Sequence, residues 1–108
     1  MIKNNEDLRQ RLHFIDRTIF HAVCACHADA TIPEELQDCV QQLGWRSGLA
    51  RRALLLDDAS AVRDSIDDLA RLSQRAQSAI GNDSMNYAVK SAVILTHIEL
   101  SALRHQLD

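Results

Sequence analysis

Apolar or small residues recur at alternating spacings of four and three along most of this chain, in four runs separated by polar breaks. The first run is Leu8, Leu12, Ile15, Ile19, Ala22 and Cys26. The second is Leu36, Val40, Leu43, Ser47, Ala50 and Leu54. The third is Val62, Ile66, Leu69, Ser73, Ala76 and Ile80. The fourth is Val89, Val93, Thr96, Leu100, Leu103 and Leu107, with Met85 ahead of it. Such heptad periodicity is the signature of one buried helix face. It predicts helices over about 5–29, 32–56, 60–80 and 84–107.

The breaks carry capping chemistry. Asn5 is placed to cap the first helix. Thr31 with Glu34 three residues on forms a capping-box pattern, and Pro33 falls in the first turn, where proline is tolerated. Asp58 or Ser60 is placed to cap the third helix. Gly81-Asn82-Asp83-Ser84 offers a helix-ending glycine and then new N-cap residues.

Folding the stripes back on one another at the three turns aligns them in rows. Leu8 falls level with Leu54, Val62 and Leu103. Leu12 meets Ala50, Ile66 and Leu100, and Ile15 meets Ser47, Leu69 and Thr96. Ile19 meets Leu43, Ser73 and Val93, Ala22 meets Val40, Ala76 and Val89, and Cys26 meets Leu36, Ile80 and Met85. Short connections between such helices favour antiparallel neighbours. The expected fold is therefore all-α, one domain over residues 1–108, an antiparallel up-down-up-down four-helix bundle with helix three diagonal to helix one.

Composition agrees with this reading. Hydrophobic residues make up 46% of the 108 and charged residues 25%, with three Gly and one Pro, as in a mostly helical globular chain. A net charge of −3 gives no overall attraction to polyanions. An odd number of cysteines and a polar start (MIKNNEDLRQ) point to a cytoplasmic, reducing setting. No stretch is apolar enough to span a membrane.

Residues 21–29, HAVCACHAD, hold two His and two Cys. Cys26 falls in the core stripe and reads as a small apolar filler. His21, Cys24 and His27 point outward. Adjacent members are three residues apart, a spacing that suits a metal pair, but His21 and His27 lie ~9 Å apart along the helix axis. A physiological metal site is thus not expected, and no cofactor is implied. Cys24 and Cys39 lie level across the first turn, but one faces out and the other flanks the core, so their Cβ vectors diverge.

Three helices carry apolar residues away from the core stripe. Helix two has Trp45, Leu49, Arg52 and Leu56. Helix four has Tyr87, Ile94 and Ile98, with Leu95 and His105 beside them. Helix one turns out Phe14 and Phe20 among His13, Arg17 and His21. Helix three shows only a charged face of Asp64, Asp67, Asp68, Arg71 and Arg75. A contiguous exposed apolar patch marks an association surface. Whether the stripes merge into one patch depends on the bundle's handedness.

Catalytic patterns are missing. There is no inward Glu-x-x-His pair for a di-metal centre, no phosphate-binding glycine loop and no nucleophile–base spacing. An outward histidine on a four-helix bundle resembles the histidine phosphotransfer domains in architecture. Those carry Lys three and Gly four residues after the His; here His97 is followed by Ile-Glu-Leu-Ser and His13 by Phe-Ile-Asp-Arg. The run Arg9-x-x-Leu12-x-x-Ile15-Asp16-x-x-Ile19 is similar to the first helix of the helical chorismate mutases, in which the leading Arg binds substrate. The second Arg of that helix is absent, with Cys26 at about its place, so no catalytic role carries over.

The expected function is a non-enzymatic interaction or regulatory module. It would form a homo-oligomer, by default a dimer, or dock a helical protein partner. The expected contact residues are Phe14, Phe20, Trp45, Leu49, Leu56, Tyr87, Ile94 and Ile98. The alternative is nucleic-acid binding through Arg9, Arg11 and Arg17 with the two Phe. A third reading is phosphotransfer or metal sensing through exposed histidines.

Overall fold

Burial follows the four stripes almost residue for residue in the computed structural model, which describes residues 5–80 and 86–107. Every stripe member among them is buried except Ile80 and Leu107, which are half-buried at stripe ends. Met85 and the Gly81–Ser84 turn lie outside the described residues. The helices are α1 (Asn5–His27), α2 (Glu34–Leu55), α3 (Ala59–Ser78) and α4 (Tyr87–Leu107). Each packs on its neighbours in chain order, and α4 closes the ring against α1. Arg11 near the start of α1 bonds to Gln106 near the end of α4, and Asn86 just before α4 bonds to Asp29 just after α1. Those two contacts fix α1 and α4 as antiparallel, as expected. No strand occurs among the described residues.

The helix ends depart from expectation in two places. The Thr31–Glu34 capping box does not form. Pro33 is the N-cap of α2 and no side chain caps it, so α2 begins at Glu34 rather than at 32. Thr31 instead turns back to Asp29, whose carboxylate accepts from both the Thr31 N–H at 2.9 Å and the Thr31 hydroxyl. A carboxylate two residues back offers the closer partner, an Asx-type turn that competes with the cap. At α4 the cap is Asn86, whose Oδ1 accepts from the N–H groups of Ala88 and Val89. Asp58 caps α3 as expected, accepting from the Ala61 N–H at 3.0 Å. Before it, Asp57 adopts a left-handed φ of 55°. The N–H of Asp58 bonds to the Ala53 carbonyl and that of Asp57 to Leu54, a Schellman closure with Asp where Gly is usual.

Asp29 thus ties the α1–α2 corner to the foot of α4. Its hydrogen bonds from Thr31, with that from Asn86, hold its carboxyl below the ordinary carboxylate range. A lowered folded pKa gives stability that is present above the unfolded value, near pH ~4. That stability is lost as pH falls through the lower folded value. The melting temperature of the wild type should therefore fall more steeply below pH ~4 than that of Asp29→Asn. Parallel acid limbs would show that these bonds do not favour the charged form.

Candidate interaction surfaces

Nine large apolar side chains among the described residues are exposed, and none belongs to α3: Phe14, Phe20, Trp45, Leu49, Leu55, Leu56, Tyr87, Leu95 and Ile98. Ile94, expected to join them, is half-buried. Single exposed apolar residues are ordinary, so their arrangement decides whether they form a surface.

They do not share one face. Around α2, Ser47 and Arg51 reach across to Asp16 of α1, at 2.8 and 3.6 Å, while Arg46 bonds to Asp68 of α3. At 100° per residue, Trp45 then points straight out between those two flanks and Leu49 outward on the Arg46 flank, away from α1. On α4, His97 and Arg104 reach α3, through Ser73 at 3.1 Å and Asp67 at 3.3 Å, which turns Leu95 toward α1 and leaves Ile98 outward. Because α2 and α4 are diagonal, Trp45 and Leu49 belong to one face, and Phe14 and Leu95 to another.

The α1/α4 face holds an open groove of about 720 Å³. Its floor is small: Ala88, Ser91 and Ala92 on α4 and Thr18 on α1. Phe14, Phe20 and Leu95 supply apolar walls, and Arg17, His21 and Cys24 line it from α1. Among the described residues, no acidic side chain lines it. The small floor arises from sequence: Ala88, Ser91 and Ala92 recur at three and four residues, one face of α4. Ser91 and Thr18 turn their hydroxyls onto carbonyls one turn back, at 2.9 and 3.0 Å, and so add little polarity.

The three candidate nucleic-acid arginines do not act together. Arg9 lies 3.9 Å from Glu6 and Arg11 bonds to Gln106, which leaves Arg17 as the one of the three with no partner among the described residues. His21, Cys24 and His27 are all exposed on successive turns of α1. Among the described residues, no three His, Cys, Asp or Glu side chains are arranged to hold a metal ion. Cys26 and Cys39 are buried, and burial pushes both thiols up. His97 is half-buried against Ser73, whose hydroxyl also lies 2.7 Å from the Ala70 carbonyl. With that hydroxyl donated to the carbonyl, Nδ1 of His97 is the donor to Ser73.

The α2 face has two features that the apolar pattern did not bring out. Asp38 and Arg52 are exposed on it, and neither has a partner among the described residues. Gly48 sits half-exposed in mid-helix, and a Cβ added there would meet nothing within 4 Å. A mid-helix glycine costs roughly 1 kcal/mol relative to alanine, and no contact within the chain requires it. At Gly44 an added Cβ would make an ordinary contact with Val23 at 3.5 Å. Comparisons with protein-family models, with curated proteins and with solved structures give no match to this chain.

Proposed function

We propose that this protein is a non-enzymatic interaction module, a small helical bundle whose exposed helix faces are buried against another protein chain. The observation that carries this reading is the uneven distribution of exposed apolar residues over the four helices. α1, α2 with its C-cap Leu56, and α4 carry all nine, and α3 carries none. Trp45, 66% exposed, and Phe20, 64% exposed, are the aromatic anchors expected at the centre of a binding surface. A groove with small residues on its floor and aromatic walls suits a helix laid across it. Among the described residues, no helix is long and apolar enough to cross a membrane, so the apolar faces are not read as lipid-spanning.

The test uses solution mass by light scattering over a range of concentrations, at two salt levels. Trp45→Asp with Leu49→Asp should lower association through the α2 face. Phe14→Asp with Leu95→Asp should do the same for the α1/α4 face. The reading fails if both double variants stay folded and leave the mass and every measured partner affinity unchanged. Nucleic acid as the partner would instead appear as binding that weakens steeply with salt and is lost in Arg17→Ala.

A further inference from the structure

The outer face of α2 is self-complementary. Trp45 lies midway between Asp38 and Arg52, seven residues from each. Seven residues are two turns less about 20°, so all three share one face, with the charges ~10.5 Å along the axis on either side of the indole. The two charges are opposite, exposed and unpartnered among the described residues. Arg46 and Arg51, the other cations of that stretch, are already engaged by Asp68 and Asp16. We infer that α2 pairs antiparallel with α2 of a second copy of this chain, about a two-fold axis at Trp45, with Asp38 of each copy facing Arg52 of the other. This rests on the reading of the protein as an interaction module and names the occupant of one of its faces.

Symmetry selects this arrangement. A two-fold contact brings residue i onto j and j onto i. Centring the axis on Trp45 matches Asp38 with Arg52, twice, places Leu49 over Gln41 of the partner and sets Glu34, the face's other acid, against the uncharged Leu56. It opposes no like charges along the helices. A parallel pairing in the same register would set Asp38 against Asp38 and Arg52 against Arg52. The α1/α4 face has no such complement, because a two-fold axis there would bring Arg17 and His21 of one copy near those of the other.

Gly48 completes the fit. It lies three residues beyond Trp45 on the same face, with bare backbone where a side chain would hold the helices apart, and helices in close contact sit about 8–10 Å axis to axis. The two indoles meet at the axis, and Gly48, level with Gln42 of the partner, leaves room beside them. A helix pair of this length is at the low end of specific interfaces, so the dimer is reversible and forms in the micromolar range.

The experiment compares the full-length wild type with Asp38→Arg, Arg52→Asp and the double swap, by sedimentation equilibrium from about 5 to 500 μM, a span chosen to bracket a dissociation constant in the micromolar range. Circular dichroism checks the fold of each variant. Trp45 is the only tryptophan, so iodide quenching of its fluorescence reads the same interface independently. We expect the wild type to pass from monomer to dimer with concentration and its quenching to fall in step. Each single reversal should weaken dimerisation tenfold or more, and the double swap should return it to within a few-fold of the wild type. A wild type that stays monomeric throughout overturns the inference. So does a double swap as weak as the singles, or single reversals that dimerise like the wild type. In the first of those last two cases Asp38 and Arg52 do not face each other, in the second the dimer uses another face, and in both the interaction-module reading survives. That reading falls only on the Asp double variants described above.

Discussion

Leu69→Ala should cost roughly 3–4 kcal/mol of folding stability, near the upper half of the range for burial-depleting substitutions. Leu69 has no solvent exposure, and the heptad spacing sets it in the row of Ile15, Ser47 and Thr96. Two of its three row-mates are small and already committed. Ser47 donates to Asp16 at 2.8 Å, and Thr96 donates to the Ala92 carbonyl at 2.7 Å. Neither can lean into the space that a shortened residue 69 would leave, so the cavity persists and its cost adds to the lost transfer energy. For a domain whose whole stability is about 5–15 kcal/mol, that loss moves the urea midpoint far. Ile80→Ala, at a half-buried stripe end, should cost well under half as much. Equal losses for the two would mean that the middle row relaxes freely.

The core was legible because one rule, apolar residues at four-and-three spacing, has one physical cause along the whole chain. Each helix must hide a single stripe, and the bundle offers a single place to hide it. The rule also told which polar residues enter the core. Thr96 and Ser73 bond to carbonyls of the preceding turn, as short hydroxyl side chains in helices do. Ser47 differs by reaching across to Asp16, a contact that needs the neighbouring helix and so leaves no trace in local spacing. Caps were less legible, because several short polar side chains compete for the same few N–H groups. Asn86 won at α4, and Asp29 drew Thr31 away from α2.

The surface was legible as a list of residues and not as an arrangement. The off-stripe apolar positions on helices one, two and four are readable from periodicity. Whether Trp45 meets Phe14 depends on which flank of α2 faces α1. That was decided by long-range partners: Asp16 holding Ser47 and Arg51, and Asp68 holding Arg46. With those flanks fixed, the stripes form two faces rather than merging into one patch. One is a groove with a cationic edge and the other a ridge that carries both signs of charge. The difference bears on function, since a groove accepts something unlike itself and a ridge of both signs can accept its own copy.

Ile32→Ala should be nearly as damaging as a helix-core truncation, at about 2–3 kcal/mol. Ile32 was expected to open the second helix. It lies instead in the turn before α2, 4% exposed, and packs into the same core as the stripes. Its backbone is tied on both sides. Its N–H donates to the Asp29 carbonyl at 3.3 Å, and its carbonyl accepts from Gln37 Nε2 at 2.8 Å. A turn pinned at both ends cannot slide to fill a void, so the side chain's loss leaves a cavity at the foot of the bundle. Thr31→Ala makes the contrast. Had Thr31 capped α2, its removal would cost about 1 kcal/mol through the orphaned N–H groups. Because its hydroxyl only adds to the bond that the Thr31 N–H already gives the half-buried Asp29, the loss should stay at roughly a few tenths of a kcal/mol, the size of a local contact. Urea melts of the two single variants decide the matter. A larger loss at Thr31 than at Ile32 would mean that the capping box forms in solution and that Ile32 belongs to the helix.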